Sequence, residues 1–358
     1  MLSTETSRQP LPYVNTCPDF FGNLRERPEY FQVEEILGFE PAGEGEHIFL
    51  FIEKTTLNTQ QVANKLADLA EVPLRQVSYA GMKDRNAITR QWFSVHLPGN
   101  SEIDFSSINN DQLTVLKQKR HLRKLRRGVH QGNKFDITLS NIKNVVPGRH
   151  AAESFEKAHQ VEFEQRVSAL SSLGFPNYFG EQRFGRNGSN IEQVEKWFMG
   201  SFKPKKHQRG LYLSSARSFL FNQVLAERVR ENSWNQTTSG ELLMLNGTQS
   251  VFPQGQDDLE ARIRSGDIHP TGPMYGKSGK LMPEEEVGAL ESRLLSEYGS
   301  LTRGLELHGL KAERRALRVI PADLKHIWAD DRVSLTFSLP RGCYATALVR
   351  ELVNYQVE

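Results

Sequence analysis

The sequence predicts an α+β protein in which a strand-rich domain is interrupted by an inserted module of different texture. The segment Asn133 to Leu139 alternates strictly: Phe135, Ile137 and Leu139 share one face, Lys134, Asp136 and Thr138 the other. That is the period of a half-buried strand. The same period returns near the C-terminus, at Val333, Leu335, Phe337 and Leu339. Between these stretches helical segments give way to glycine- and proline-rich connections through Gly272, Pro273 and Gly276, with no evident strand ladder. The expected division is residues 1–157 with 316–358 as one discontinuous domain and 158–315 as the insertion, and 358 residues are enough for two domains.

The elements follow in chain order. Residues up to about Pro18 show no period and read as an irregular lead-in. Arg27-Pro28 is a proline turn, after which Phe31 and Val33 alternate until a break at Glu35, the pattern of an edge strand. Gly43 to His47 forms a loop before a strand from Ile48 to Ile52, and it lacks the Lys-Ser/Thr of a phosphate loop. Thr59 is placed to cap a helix whose Val62, Leu66 and Leu69 share a face and which stops before Pro73. Val77 and Tyr79 flank Ser78 as a strand, and Thr89 to His96 is a second strand rich in β-branched and aromatic residues. Asn190, with Glu192 and Gln193, resembles a capping box opening a helix through Trp197. A further helix covers Ala216 to Arg230, and a last one runs from Tyr344 to Val353 after the Pro340–Gly342 turn.

Between the strands at Val77–Tyr79 and Thr89–His96 lies Ala80-Gly81-Met82-Lys83-Asp84-Arg85-Asn86-Ala87, with one carboxylate between two cations. Neighbouring cations favour the ionised form, so Asp84 is expected to have a lowered pKa and to suit a nucleophile better than a general acid. The competing reading is a solvated turn whose charges only keep it soluble. Net charge is +2, so positive charge is local rather than global. Lys117, Lys119, Arg120, Arg123, Lys124, Arg126 and Arg127 crowd one stretch, and Lys203, Lys205, Lys206, His207 and Arg209 another. Such clusters fit a phosphate backbone or a solvated face. Cys17 and Cys343 form no Cys-x-x-C or Cys/His cluster, so no metal site or disulfide is expected. No apolar run is long enough to span a bilayer, and Met1 to Ser7 lacks the regions of a signal peptide, so a cytoplasmic protein without membrane partners is expected.

Tyr79-Ala-Gly-Met-Lys-Asp-Arg, followed by the Gln91-Trp-Phe-Ser-Val strand, resembles the catalytic loop of the TruD-type tRNA pseudouridine synthases. Further blocks match that family in order: Arg27 to Glu35, Gly43 to His47, Gly132-Asn-Lys-Phe135, Asn177-Tyr-Phe-Gly-Glu-Gln-Arg-Phe-Gly185, and Tyr344-Ala-Thr with Val349-Arg-Glu-Leu352. The resemblance implies a mixed-sheet catalytic domain interrupted by a TRUD-type α/β module. It implies isomerisation of uridine to pseudouridine at position 13 of tRNA with no cofactor; a monomer is expected, though the sequence is silent on oligomeric state. It puts the essential aspartate at Asp84, substrate contacts at Phe31, Asn133 and Tyr344, and an active-site aromatic at Phe135, although periodicity alone reads Phe135 as core. Two positions depart from the family: Arg25 stands where lysine is common, and Tyr344 where phenylalanine is usual. Arg keeps the charge on a forked head, and the Tyr344 hydroxyl needs a partner or water. Candidate RNA contacts are Arg123, Lys124, Arg126, Arg183 and Arg186, while Phe179 and Phe184 read as packing residues. The competing functions are a non-catalytic RNA-binding or chaperone protein and an unrelated Asp-dependent hydrolase. The intact Asp84 loop argues against the first, and the lack of a partner carboxylate argues against the second.

Overall fold

Alternation along Asn133–Leu139 belongs to a longer strand, Gly132–Asn144, at the middle of a mixed sheet. The structure, a computed structural model, describes residues 10–99, 103–144, 157–255, 258–279 and 281–357; the start of the expected lead-in lies outside them. Packing divides the chain into two compact units. A sheet unit comprises Pro18–Val167, Pro321–Gly342 and Val353–Glu358, and an insertion unit comprises Met1–Cys17, Ser168–Ile320 and Cys343–Leu352. This division differs from one drawn at 158 and 315. One boundary falls inside the helix Lys157–Leu173, and Cys343–Leu352 joins the insertion unit because the helix Ala345–Leu352 packs on Phe175–Pro176 there.

The strands of the sheet unit are β1 (Phe20–Leu24), β2 (Phe31–Ile36), β3 (His47–Thr55), β4 (Val77–Tyr79), β5 (Ile88–His96), β6 (Leu113–His121) and β7 (Gly132–Asn144), with Ala322–Ala329, Arg332–Pro340 and Asn354–Val357 added from late in the chain. Arg332–Pro340 pairs with β7, β7 with β2, β2 with β5, β5 with β3, and β3 with β6. Only the β2–β5 step along this path is parallel. The expectation of an edge strand at Phe31–Ile36 is therefore overturned: β2 is flanked on both sides. Its Glu35 is not a break but continues the buried phase of Phe31 and Val33, at 3% exposure.

Register places residues on faces. Glu35 pairs with Asn133 and Asn133 with Leu339, while Val33 pairs with Phe135 and Phe135 with Phe337. On the other flank Val33 pairs with Thr89 and Thr89 with Lys54. Because side chains alternate with period two, Phe31, Val33, Glu35, Lys54, Thr89, Gln91, Asn133 and Phe135 all point to one face. That face is apolar at Val33, Phe135 and Phe337, and polar where Glu35, Lys54, Thr89, Gln91 and Asn133 lie buried together. The helix Thr59–Leu69 starts beside it. Its cap is Asn58, whose side chain accepts from Gln61 N while Gln61 answers the Asn58 amide, so Thr59 is the first helical residue rather than the cap. The hydroxyl of Thr59 is left for another task.

In the insertion unit Lys206–Arg230 forms one long helix, so the second basic cluster lies at its start, and Phe219, Leu220 and Val224 pack against Leu301 and Leu305. A four-stranded sheet, of Leu242–Leu245, Val251–Pro253, Ile268–Met274 and Glu313–Ala316, overturns the expectation of no strand ladder. Pro270, Gly272 and Pro273 sit inside a strand there, which hid it from propensity. The helix Ser189–Phe198 begins at Gly188 without a side-chain cap, and Asn190 instead donates to Arg183 O. Among the described residues no helix is long and apolar enough to cross a membrane.

Candidate active site around the Asp84 loop

Three hydrogen bonds of one circuit fix the loop. Gln91 Nε2 donates to Gly81 O (3.1 Å), Thr59 Oγ1 donates to Gln91 Oε1 (2.9 Å), and Lys83 N donates to Thr59 Oγ1 (3.0 Å). Lys54 Nζ, fully buried, donates to Asp84 O (2.9 Å) and to Leu57 O (2.7 Å). The backbone at residues 81, 83 and 84 is thus held by side chains rising from β3, β5 and a helix start, and no regular turn is needed to position Asp84.

The cations beside Asp84 in sequence are not the ones beside it in space. Lys83 turns away to pair with Glu35 at 2.8 Å, and both side chains are nearly inaccessible (7% and 0% exposed). Arg85 Nε donates to Thr56 O. The partner of the carboxylate is Arg25, whose NH2 donates to Asp84 Oδ2 at 2.7 Å. Among the described residues no hydrogen bond reaches Asp84 Oδ1, and the side chain is 41% exposed, so one carboxylate oxygen is anchored and the other is open. Arg25 itself sits at φ 69, the left-handed region, immediately after β1. A non-glycine residue there costs about 1–2 kcal/mol, which the ion pair and the ring contact below offset.

The Arg25 guanidinium sits over Phe31, 4.1 Å from guanidinium carbon to ring centroid. The forked head of arginine lets one arm hold a carboxylate while the cation rests over an aromatic ring. Phe31 is 2% exposed, so this ring supports Arg25 and through it Asp84. Phe135 stacks on Phe337 at 5.3 Å and is buried; it is core and, by register, on the site's face at once. Asn133, 9% exposed, has a buried Oδ1 with no hydrogen-bond partner. A buried unpaired acceptor costs about 1–3 kcal/mol, which marks Asn133 as a group awaiting a donor.

Charge is costly on this face. Burial pushes the Lys54 ammonium down to about 8, partly countered by the Asp84 carboxylate, with Lys83 adding to the lowering. His130 is lowered by burial too; Glu35 opposes this, and Lys83 and Arg341 reinforce it.

The other expected residues fall in two places. Arg123, Lys124 and Arg126 lie in the loop after β6, which is tied to the Asp84 loop where Gly128 N donates to Ala80 O at 2.7 Å. Tyr344, Arg183 and Arg186 belong to the insertion unit. Tyr344 answers the question its hydroxyl posed, since it accepts from Arg183 Nε at 3.0 Å while its ring meets Phe179 edge-on. Arg183 also reaches Ser214 Oγ, so it is tied down, whereas Arg186 is exposed. Phe179 is buried as expected, with its backbone clamped on both sides by the Asn222 amide. Glu35, Lys54, Thr59 and Gln91 escaped sequence reasoning as site residues. The available signal was a polar residue in the inward phase of a strand: Glu35 follows Phe31 and Val33, and Lys54 follows Leu50 and Ile52, at spacings of two. No metal-binding group of three or more His, Cys, Asp or Glu occurs among the described residues.

Comparison with known proteins points one way. Residues 10–200 and 203–352 match the family model described as tRNA pseudouridine synthase D (TruD). The chain is 43% identical over 362 residues to the tRNA pseudouridine synthase D of Nitrosococcus oceani, covering 99% of this chain and 97% of the relative. It is 41% identical over 338 residues to the protein of that name from Methylococcus capsulatus, covering 93% and 91%. The crystal structure of the putative tRNA pseudouridine synthase D (TruD) from Methanosarcina mazei superposes with a TM-score of 0.72 over 98% of this chain and 97% of that one. At 20% identity, that last likeness is one of fold.

Proposed function

The chain belongs to the tRNA pseudouridine synthase D family, isomerases that convert uridine to pseudouridine in tRNA, and from that premise we propose that Asp84 is its nucleophile, acting without a cofactor on the uridine at position 13. The observation that carries the reading is the Asp84 carboxylate itself, anchored through Oδ2 by Arg25 and open at Oδ1, on a loop whose backbone is fixed from below.

The reaction breaks the C1′–N1 bond of uridine and joins C1′ to C5; the proton on C5 leaves and N1 gains one. Atoms and electrons balance within the substrate, so the chemistry calls for no oxidant and no group donor. It does call for a carboxylate at the sugar or the base, held while the base turns over. Arg25 supplies the holding: its charge and its contact with the Phe31 ring let Oδ2 stay engaged while Oδ1 acts. Asn133 offers an unpaired amide oxygen, which an N–H of uracil would satisfy. The base must first leave its stack, at a cost of a few kcal/mol, and backbone contacts with the RNA help to offset it. Tyr344 stays a proposed substrate contact on the family resemblance alone, with Arg183 fixing its hydroxyl.

The test is pseudouridine formation on unmodified tRNA transcripts by the wild type and by Asp84→Asn. The substitution is nearly isosteric and keeps a hydrogen-bond acceptor for Arg25. Product at a single uridine with the wild type, and none with the variant at unchanged tRNA affinity, supports the reading. Turnover retained by Asp84→Asn sinks the nucleophile assignment.

A further inference from the structure

Beside the root of the Asp84 loop is a cavity of about 290 Å³ lined by Val77, Ser78, Tyr79, Lys124, Leu125, Arg126 and Arg127. We propose that it is a seat for one phosphodiester of the substrate RNA backbone, close to the uridine presented to Asp84. This rests on the reading of the Asp84 loop as the reaction site.

The lining selects an anion. Its three cations come from the loop after β6, and no carboxylate lines the cavity. Among the described residues none of Arg123, Lys124, Arg126 or Arg127 forms an ion pair, so the charge is uncompensated. The cations are also pre-organised. Leu125, between Lys124 and Arg126, is 1% exposed, packs with Phe49, Phe51, Ala80 and Trp92, and donates its amide to Ser94 Oγ at 3.1 Å. Lys124 Nζ rests on Arg75 O at 3.0 Å, and Arg127 NH2 donates to Tyr79 OH at 3.2 Å. A basic run plugged into the core by its own leucine is a built feature, unlike lysines scattered on a solvated face.

The same geometry argues against a base in the cavity. The Tyr79 ring is 7% exposed and is covered by Arg127 at 4.8 Å, so no free aromatic face remains for stacking. Phosphate and ribose are what charged and hydroxyl groups without an aromatic platform bind, and such contacts set register rather than sequence. The volume sits at the lower end for ligand sites and suits one backbone unit rather than an element of a partner protein. Position completes the case. Tyr79 lines the cavity and Asp84 follows five residues on, a span of at most ~18 Å of extended chain. The Gly128–Ala80 hydrogen bond then locks the basic loop to the catalytic one. A strand seated here is held within a few nucleotides of the reacting uridine.

The experiment measures tRNA affinity against salt, and KM and kcat for pseudouridine formation, for Lys124→Gln and Arg126→Gln. Lys325→Gln, on the strand Ala322–Ala329 at the opposite end of the sheet path, is the control that removes the same charge elsewhere. The expected result for each cavity variant is about a tenfold rise in KM and Kd at unchanged kcat, with a log–log salt slope shallower by about 1, while Lys325→Gln changes nothing. Equal weakening by Lys325→Gln would mean a diffuse field and overturn the seat. So would unchanged affinity in both cavity variants, or a loss confined to kcat. If wild-type protein binds tRNA but makes no product, the enzymatic reading fails while the affinity and salt measurements still decide the seat.

Discussion

Glu35→Gln tests whether a buried ion pair holds the Asp84 loop in place. The pair Lys83–Glu35 is 2.8 Å long and nearly sealed from water. Glutamine keeps the shape and the acceptor for Trp92 N, 3.3 Å away, and so removes little but charge. Lys83 is left as an uncompensated buried ammonium, which costs about 3–5 kcal/mol. At roughly 2–4 °C per kcal/mol for a domain of 150–250 residues, Tm should fall by roughly 6–20 °C. Lys83→Met should cost a similar amount by orphaning Glu35. The double variant, with neither charge, should lose clearly less than the two singles combined, because it removes both the attraction and the desolvation penalty. Thermal unfolding by circular dichroism at fixed pH reads all three. Because Lys83 directly precedes Asp84, kcat should fall in the singles while tRNA affinity holds. A Tm drop below about 2 °C for Glu35→Gln, or strict additivity in the double, would show that this pair does not support the loop.

Arg25→Lys keeps the charge but loses the guanidinium over Phe31; a cation–π contact of about 0.5–2 kcal/mol predicts a roughly 2- to 30-fold fall in kcat, read by single-turnover kinetics, and no fall would remove Arg25 from the positioning of Asp84. Lys54 gives a pH dependence of stability. Its folded pKa, about 8, lies below the unfolded value of about 10.4, so between those limits the unfolded chain binds more protons and stability rises with pH. Wild type minus Lys54→Met should therefore show an upward Tm trend from pH 8 to 10; a flat difference would contradict the burial of a charged amine. Tyr344→Phe removes the acceptor of Arg183 Nε but not the ring, and should lower Tm by only roughly 2–4 °C while retaining turnover; loss of turnover would give the hydroxyl a direct part in the reaction.

Local pattern alone determined much of this protein. Period two located β7 and Arg332–Pro340, because alternation on a half-buried sheet is a property of consecutive residues. Resemblance to family motifs, rather than period, singled out Asp84 in the loop and Asn133 and Phe135 on β7, which β2 separates from β5. What sequence misjudged was non-local. It read Lys83 and Arg85 as the partners of Asp84, yet the partner is Arg25, 59 positions away, and the support beneath is Lys54, 30 positions away. Lys83 instead answers Glu35 across 48 positions. Adjacent residues on an extended or irregular backbone point apart, so sequence neighbours seldom share a partner, whereas register brings distant inward-facing residues together. The inward phase of Glu35 and Lys54 was visible in the strand pattern. Which charge each would meet was decided only when β2, β3 and β5 were laid side by side.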